Sequence, residues 1–303
     1  MTSNCLFSII IVSWNTKILT LRAIQSILQQ NMTNFEIIIV DNASTDGTVA
    51  AIKTQFPQVK LIPNSRNLGY PQANNQGIKA AKGRYIILLN SDAQILSKNA
   101  LKIVRHSFNS IYSLGMLGGI LFRPDGSIQA FGRSFLTLER LIKQQILFSS
   151  AHKIKIPANS QIKDADYIDG AFLAVDKKTI DDIGLMKEDF FMYGEDMEWC
   201  ARAKSQGWQV KVHRDIHILH EHGASTQQNF ARNLYQSALN ICRFIYNYQD
   251  AKKAKLAFDV FICGMFLRTV TSILRRNNLA ADYFFTAIKS INSRKSLKNL
   301  IAR

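Results

Sequence analysis

The sequence predicts an α/β fold: a doubly wound, mostly parallel mixed sheet with a helical C-terminal extension. Three observations lead to this prediction. Short apolar runs rich in β-branched residues recur through the first hundred positions, and segments long enough to be crossover helices separate them. Polar residues then follow the runs where each strand is expected to end. Runs that are apolar at nearly every position are typical of parallel strands buried on both faces.

Four apolar runs are the first predicted strands. They are FSIIIVSW at 7–14, FEIIIVDN at 35–42, VKLIPN at 59–64 and YIILLNSD at 85–92. Helices are predicted between them, at 16–30, 45–56 and 72–82, because a parallel pair of strands needs a crossover of this length. Strands that alternate with helices predict a sheet covered on both faces.

The middle of the chain combines further strands with one helix. Strands are predicted at 116–122 (MLGGILF) and 167–175 (YIDGAFLAV), a turn at RPDGS, a helix over 195–206 that ends near Gly207, and then two short strands, VKVH and IHIL. Residues 135–165 are weakly patterned, and we expect a surface excursion there.

From residue 228 onward the pattern is helical, with predicted spans at 228–248, 251–275 and 279–292. We therefore expect an α/β domain over 1–226 and a basic amphipathic extension over 227–303. Residues 232–303 contain thirteen Lys and Arg against three Asp, which accounts for +10 of the net charge of +16.

Apolar and basic residues share the helices of the extension, most clearly in LAFDVFICGMFLRTVTSILRR at 256–276. The longest uncharged stretch there, Val260–Leu267, is too short to cross a bilayer, which takes about 20 residues. Helices of this composition favour a position on an anionic membrane surface. The alternative is that they pack on the core and expose their Lys and Arg to water.

Cysteine usage and the N-terminus indicate a cytoplasmic protein. The four cysteines have no paired C-x-x-C spacing, so we expect reduced, mostly buried thiols. The first apolar run follows no basic segment, and a signal peptide is therefore not expected. Together with the basic helices, this predicts a peripheral protein at the inner face of the cell membrane.

Polar residues follow three of the predicted strands. They are Trp14 and Asn15, then Asp41 and Asn42, then Asn90 and Asp92. In open α/β sheets ligands bind beyond the carboxyl ends of the strands. Asn and Asp are also common turn residues, so one such site alone would mean little. Three sites that meet at one edge favour a ligand.

The segment FMYGEDMEWC at 191–200 places Glu195, Asp196 and Glu198 among aromatic residues. Carboxylates near the start of a helix are stabilised by its dipole, by about 0.3–1 kcal/mol each. Glu198 can also pair with Arg202 four residues later. Neither effect explains why aromatic residues surround these carboxylates. That pattern is consistent with a base held in a pocket.

Six segments in a fixed order resemble the family 2 glycosyltransferases of the GT-A fold, particularly their rhamnosyltransferase-like branch. The segments are SIIIVSWN (8–15), IIIVDNASTDGT (37–48), NLGYPQANNQGI (67–78), GRYIILLNSDA (83–93), FFMYGEDMEWCARAKSQGW (190–208) and HEHGAST (220–226). The resemblance covers about residues 1–226. No single segment would carry the resemblance alone.

The resemblance implies a site for the nucleotide of a nucleoside-diphosphate sugar. Asp41 is expected to accept a hydrogen bond from the N3–H of a uracil- or thymine-type base, as the family's aspartate does. The donor-binding residues implied are Trp14, Asn15, Asp41, Asn67, Gly69, Tyr70, Asn74 and Asn90. The loop around Gly69 is not the G-x-G-x-x-G fingerprint, so a dinucleotide is not expected.

Asn90-Ser91-Asp92 stands where the family usually has its D-x-D metal motif. The resemblance implies Mg²⁺ or Mn²⁺ on the donor diphosphate, with Asp92 as a ligand. The motif has one carboxylate instead of two, which makes metal binding in the absence of donor weak. His220 is the second expected ligand, and His222 is the alternative; a neutral imidazole suits Mn²⁺ better than Mg²⁺.

The resemblance also assigns the base of a single inverting displacement. Asp196, the aspartate of the E-D pair, is expected to deprotonate the acceptor hydroxyl, and no covalent sugar–enzyme intermediate is expected. Asp169 and Gly170 resemble the family's acceptor-side segment, and Glu195 is expected to support acceptor binding or cap the helix.

The activity implied is transfer of a sugar, with dTDP-L-rhamnose favoured and UDP- and GDP-sugars open. The acceptor is a glycan or lipid-linked saccharide in cell-surface polysaccharide synthesis. A nucleotidyltransferase is the competing enzyme, but it needs a glycine-rich basic loop where this chain has SWNTK. The basic charge also suggests a nucleic-acid-binding protein, yet charge alone gives only non-specific affinity, and we expect no nucleic-acid partner.

Overall fold

The computed structural model describes residues 5–148, 160–221, 230–276 and 278–294. The chain forms two compact units. The sheet unit consists of 1–134, 153–191 and 196–225, and the helical unit of 135–152, 192–195 and 226–303. The predicted domain boundary at 226/227 lies outside the described residues. The helical unit is larger than the predicted extension because it includes two earlier segments.

Ten strands are found in the described part of the chain, and all belong to one sheet. They are β1 (Phe7–Ser13), β2 (Phe35–Asp41), β3 (Lys60–Pro63), β4 (Tyr85–Asn90), β5 (Ala93–Ile95), β6 (Leu114–Phe122), β7 (Ile128–Phe131), β8 (Ile162–Asp164), β9 (Phe172–Asp176) and β10 (Gln209–His220).

The helices of the described residues lie between and after these strands. They are α1 (Lys17–Leu28), α2 (Thr48–Gln55), α3 (Tyr70–Ala80), α4 (Ala100–Ser110), α5 (Leu138–Ile146), α6 (Lys177–Ile183), α7 (Glu195–Ser205), α8 (Phe230–Tyr248), α9 (Ala251–Leu274) and α10 (Ala280–Ser293).

The strand order is β3-β2-β1-β4-β9-β6-β10-β5, with β7 beside β6 and β8 beside β10. The first four strands are parallel to one another, whereas β9 runs antiparallel to both β4 and β6. This mixed, mostly parallel sheet with helices confirms the predicted fold class. The continuous apolar runs form strands because both faces of the sheet are covered, and two separate clusters of buried side chains lie on it.

The parallel register brings the polar ends of three strands to one edge. Ser13 at the end of β1 pairs with Asp41 at the end of β2, and Val12 pairs with Asn90 at the end of β4. Just beyond β1, the Thr16 hydroxyl donates to the Ser91 hydroxyl at 2.9 Å. The expected convergence of these strand ends is therefore confirmed.

Three local expectations are corrected by the structure. VKVH and IHIL belong to one strand, β10, whose register against β6 shifts between Val212 and His217. The strand predicted at 167–175 begins only at Phe172, and the residues before it form a loop. The weakly patterned stretch at 135–165 contains α5, whose Thr137 cap accepts a hydrogen bond from the Arg140 N–H.

The helical unit has a core of its own. Leu141 of α5, Leu239 and Ile245 of α8, and Phe258 of α9 are buried in one cluster, and Phe261 and Ala287 lie in a second. Helix α5 belongs to this unit because its apolar face packs here. Asn240 of α8 is fully buried, and its amide donates to the carbonyls of Met192 and Tyr193 at 3.0 and 2.7 Å.

By length and composition alone, one helix of the described residues, Lys252–Leu274, could cross a membrane. The sequence expectation considered only its uncharged stretch, whereas the whole helix is long enough despite its charges. Close to half of its apolar window, 44%, is buried inside the structure. A core helix meets the same test, so this feature is weak support for a span.

All four cysteines are free thiols. Cys200 and Cys242 are buried, as expected, and burial raises the pKa of Cys242 to about 12. Cys5 is only half-buried and Cys263 is exposed, so the expectation of mostly buried thiols holds for two of the four.

Candidate active site

Asp41 ends β2 and is buried, with 1% of its surface exposed. Its Oδ1 accepts a hydrogen bond from the Ser44 N–H at 2.9 Å. Its Oδ2 has no hydrogen-bond partner among the residues that the structure describes. A buried carboxylate oxygen without a donor costs free energy, so this atom fits a donor group supplied by a ligand.

Neighbouring amides hold the loops around Asp41. Asn15 adopts a positive φ of 52°, and its Oδ1 accepts from the Thr45 N–H at 2.7 Å. Asn42 Nδ2 donates to the Gly69 carbonyl at 3.2 Å, which ties the end of β2 to the start of α3. The loops after β1, β2 and β3 therefore support one another. Trp14 is half-buried at this edge.

The turn that precedes α3 has a geometry that requires glycine. Gly69 has a φ of 83°, and a Cβ there would lie 2.6 Å from the Phe191 carbonyl oxygen. Asn67 Oδ1 accepts the Gly69 N–H at 2.9 Å, and the Tyr70 N–H donates to the Phe191 carbonyl at 2.9 Å. The predicted donor-side loop thus lies against the segment that leads towards Asp196.

Two asparagines of α3 have structural partners. Asn74 is buried and donates to the Tyr70 carbonyl of its own helix at 2.9 Å. Asn75, the next residue, is buried, donates to the Met186 carbonyl and accepts the Met186 N–H. Sequence reasoning did not anticipate these internal contacts.

Asp92 and His220, the two predicted metal ligands, lie side by side. Asp92 Oδ1 is 3.3 Å from His220 Nε2, and both residues are buried. Asn90 Nδ2 is 3.4 Å from the same ring nitrogen. On the other side of the ring, Nδ1 lies 3.1 Å from Gln129 Oε1. In the tautomer with the proton on Nδ1, Gln129 Oε1 accepts the hydrogen bond of that N–H and Nε2 keeps its lone pair for a ligand.

This donor set fits a divalent cation. A carboxylate oxygen and an imidazole lone pair on adjacent strand ends are ligands for Mn²⁺, and a carbonyl-type acceptor on the second ring nitrogen is the usual support for a ligating histidine. In the described part of the chain no group of three or more His, Cys, Asp or Glu could hold a metal. His222, the alternative ligand, lies outside the described residues.

Asp196 is partly buried in the first turn of α7. Its Oδ2 accepts the Gly170 N–H at 3.1 Å, and its Oδ1 accepts the Met197 N–H at 2.7 Å. Burial, followed by the nearby Asp169 carboxylate, raises the pKa of Asp196 to about 6. The two N–H donors and Arg133 act in the opposite direction. Asp196 is therefore ionised at neutral pH and able to accept a proton.

Asp169, predicted on the acceptor side, forms an ion pair that the sequence did not reveal. Arg133 Nε lies 2.7 and 2.8 Å from its two carboxylate oxygens. Gly170 follows, with its carbonyl accepting from the Tyr70 hydroxyl at 2.8 Å. Glu195 is buried and belongs to the helical unit. The acceptor roles of Asp169, Gly170 and Glu195 stay predictions.

Glu198, the carboxylate that follows Asp196 in this segment, is held in structural ion pairs. Glu198 is almost fully buried and pairs with Arg202 at 2.8 Å, which confirms the predicted i,i+4 contact, and with Lys187 at 3.1 Å. Trp199 is buried in the core, and its indole N–H donates to the Gly184 carbonyl at 2.9 Å. These contacts anchor the helix that carries Asp196.

Comparison with known proteins assigns the first part of the chain to a family. Residues 8–154 match the model of "Glycosyl transferase family 2". The chain carries a family 2 glycosyltransferase domain. The nucleotidyltransferase and nucleic-acid-binding alternatives have no support in this match. The match begins within β1 and includes Asp41, the Gly69 turn and Asp92.

Two curated relatives are similar over part of this chain. The first is the N-acetylglucosaminyl-diphospho-decaprenol L-rhamnosyltransferase of Mycobacterium tuberculosis, 26% identical over 218 residues, which are 65% of this chain and 70% of the relative. The second is the Escherichia coli UDP-Glc:alpha-D-GlcNAc-diphosphoundecaprenol beta-1,3-glucosyltransferase WfaP, 42% identical over 88 residues, or 29% of this chain and 35% of the relative.

A solved structure shares the fold. It is the mannosyltransferase PcManGT of Pyrobaculum calidifontis, in complex with GDP-Man and Mn²⁺. The TM-score is 0.59 at 14% sequence identity, over 97% of this chain and 86% of that one. At this identity the likeness shows the GT-A fold alone.

Three features of the site were missed by sequence reasoning. Arg133 lies far from any recognisable motif, and Gln129 is separated from His220 by 91 positions. The Tyr70–Gly170 contact spans 100 positions. No local pattern links these partners, because only the folded sheet brings them together.

Proposed function

We propose that this glycosyltransferase moves a sugar, with L-rhamnose favoured, from a nucleoside diphosphate to a hydroxyl of a glycan or lipid-linked saccharide, with inversion. One observation carries the proposal. The Ala171 carbonyl accepts the Asn90 N–H at 3.2 Å, and the adjoining Gly170 N–H donates to Asp196 at 3.1 Å. A single dipeptide therefore joins the strand end beside Asp92 to the proposed base.

On the donor side, Asp41 Oδ2 accepts the N–H of the nucleobase, since it is a buried acceptor with no donor among the described residues. Trp14 and Asn15 lie at the same edge of the sheet. The Gly69 turn lets the backbone approach the ligand without a Cβ in the way.

Asp92 and His220 would hold Mg²⁺ or Mn²⁺ against the donor diphosphate, with Gln129 orienting the imidazole. When bound, the ion offsets the negative charge that develops on the departing diphosphate. Asn90 Nδ2 also lies 3.4 Å from His220 Nε2, at the edge of this site.

On the acceptor side, Asp196 takes the proton of the attacking hydroxyl. A sugar hydroxyl is a weak acid, so the base accepts the proton late, and its position matters more than its strength. The Gly170 and Met197 N–H groups fix both carboxylate oxygens. The carboxylate stays ionised above its raised pKa, so turnover is expected to fall as the pH drops below about 6.

The comparisons support an acceptor linked to a polyprenyl diphosphate, because both curated relatives are named for such acceptors.

The helical unit supports a position at the inner face of the cell membrane. Large apolar side chains are exposed at the end of α9 and on α10: Val270, Ile273, Leu274, Phe284 and Phe285. Exposed Arg275, Arg276 and Lys289 accompany them. Apolar side chains beside basic ones suit an anionic bilayer surface.

A donor panel tests the proposed transfer. The purified protein is given dTDP-L-rhamnose, UDP-glucose, UDP-N-acetylglucosamine or GDP-mannose, with a polyprenyl-diphosphate-linked N-acetylglucosamine, with Mn²⁺ or with EDTA. We expect nucleoside diphosphate release to be greatest with dTDP-L-rhamnose and to need the metal. Equal release without acceptor, or release from none of the donors, contradicts the proposal.

Sedimentation with lipid vesicles tests the membrane position. We expect binding to phosphatidylglycerol-containing vesicles, weaker binding to phosphatidylcholine alone, and loss of about tenfold in affinity for Phe285→Ser. Tyr112→Ser is the control, since Tyr112 is 91% exposed but belongs to the sheet unit. Equal losses for both variants contradict this position of the helical unit.

A further inference from the structure

Arg133 follows β7 and holds the loop that precedes β9. Its N–H donates to the Tyr167 carbonyl at 2.9 Å, and its carbonyl accepts the N–H groups of Asp166 and Tyr167 at 2.9 and 3.1 Å. Its side chain then reaches Asp169, with Nε within 2.8 Å of both carboxylate oxygens. One residue thus fixes this loop through both its backbone and its guanidinium group.

Gly170, the next residue of the loop, contacts Asp196 directly. Its N–H donates to Asp196 Oδ2 at 3.1 Å, and its carbonyl accepts the Tyr70 hydroxyl at 2.8 Å. A Cβ at Gly170 would lie 2.9 Å from the Tyr70 oxygen, so the peptide sits in a tight space. The position of the Asp196 carboxylate therefore depends on a loop that Arg133 holds.

Charge gives Arg133 a second effect on Asp196. Two charged groups act on the pKa of Asp196: Asp169 from the loop and Arg133 from the end of β7. Together with burial, Asp196 in turn raises the pKa of Tyr167 from the loop and of Cys200 on its own helix. Burial disfavours the charge of Arg133, but the neighbouring acidic groups, Asp169 first among them with Tyr167 and Asp196, together outweigh this and keep the pKa of Arg133 above its ordinary value. Arg133 is therefore the one cation among these four groups, and it acts against two carboxylates.

We propose that Arg133, paired with Asp169, is a positioning residue for the base: it places the Gly170 amide on Asp196 and balances the charge of the two neighbouring carboxylates. The proposal rests on the proposed function, because it takes Asp196 as the base. It goes further by assigning a role to a residue outside every motif of the sequence. It also gives Asp169 a part other than acceptor binding.

The first test measures the Asp196 carboxyl itself and needs no substrate. The protein is labelled with ¹³C at aspartate carboxyls, and the Asp196 signal is assigned by its loss in Asp196→Asn. We expect its titration midpoint to rise by about one pH unit in Arg133→Gln, which removes a nearby cation, and to fall by about one unit in Asp169→Asn, which removes an anion.

A matched control lies at the other end of β9. Arg84 Nη2 pairs with Asp176 Oδ2 at 2.9 Å, an Arg–Asp pair of the same sheet. Arg84→Gln should leave the Asp196 midpoint unchanged. A midpoint that does not move in Arg133→Gln and Asp169→Asn, or that moves equally in Arg84→Gln, overturns the proposal. If Arg133→Gln does not fold, Asp169→Asn alone decides by the same criterion.

The second test uses turnover with the preferred donor of the panel. We expect kcat to fall in Arg133→Gln and the KM for donor to stay within about twofold. The acidic midpoint of the pH–rate profile should move to higher pH. Arg133→Lys keeps the charge and should return the acidic midpoint to its wild-type pH. It should restore only part of kcat, because lysine lacks the planar guanidinium group. A larger rise in KM than fall in kcat overturns the positioning role.

The role of Asp196 as the base and the role of Arg133 in positioning it can be refuted separately. If Asp196→Asn turns over at the wild-type rate, Asp196 is not the base and the proposed mechanism fails, whatever Arg133 does. If Asp196→Asn is inactive while Arg133→Gln and Asp169→Asn behave as Arg84→Gln does, the mechanism stands and the role of Arg133 falls.

Discussion

The donor side and the base side of the site, both in the sheet unit, are built from different chemistry. Around Asp41 the partners are neutral: the Ser44 N–H, and the amides of Asn42 and Asn15 that hold the nearby loops. Asp196 has charged neighbours, because the ion pair of Asp169 and Arg133 acts on its carboxylate. Neutral hydrogen-bonding partners fix the position of a carboxylate, whereas charged neighbours also change its proton affinity through their charge.

The difference teaches how one sheet serves two tasks. The donor side must recognise a ligand, and fixed hydrogen-bonding groups do so at no change in protonation. The base side must accept a proton, and a carboxylate whose pKa is raised towards neutrality does so more readily. Variants on the donor side should therefore change the KM for donor, and variants on the base side should change kcat.

Asp196→Asn should give the largest effect. An amide cannot accept the proton, so we expect kcat to fall by about 10²–10⁴-fold with little change in donor binding. Steady-state kinetics and titration with the nucleoside diphosphate measure the two quantities. Glu198→Gln is unsuitable as a control because it breaks a buried ion pair; Asp125→Asn, in an exposed turn, is the suitable one.

Asp92→Asn should give the second-largest effect, and it tests whether Asp92 binds the metal. We expect Mn²⁺ to bind at least about tenfold more weakly, a loss seen even when a residue only supports a ligand. Electron paramagnetic resonance of Mn²⁺ in the presence of dTDP measures it without turnover. Unchanged affinity would remove Asp92, though not His220, from the metal site.

Asp41→Asn should mainly affect the donor side. The substitution can turn an acceptor into a donor that faces the base N–H, and we expect a rise of about tenfold or more in the KM for donor. The kcat value should change far less. A fall in kcat with constant KM would break the comparison, because Asp41 would then act on the reacting groups.

Tyr70→Phe should have the smallest effect and sharpens the comparison, because its hydroxyl contacts Gly170 while its backbone belongs to the donor-side turn. Loss of one hydrogen bond of about 1 kcal/mol predicts a change of a few-fold, shared between kcat and KM. A change confined to one of them would assign Tyr70 to that side alone. Thermal unfolding of the variant checks that its fold is intact.

The sequence predicts the donor side better than the base side for a physical reason. Asp41 and Asn90 directly follow buried strands, so the parallel register alone brings them to one edge. Arg133 and Asp169 come from separate loops, and no periodicity shows that they meet. Helix α5 was missed because its apolar face packs on helices about a hundred residues later, as Leu141 does in the cluster with Leu239 and Phe258.

The single open oxygen of Asp41 has a consequence for which nucleotides can serve as donors. Uracil, thymine and guanine all present a ring N–H, which this oxygen can accept. Cytosine and adenine present a lone pair at the corresponding ring nitrogen, and two acceptors facing each other in a buried place repel. A protein built in this way should turn away CDP- and ADP-activated sugars without any steric barrier against them.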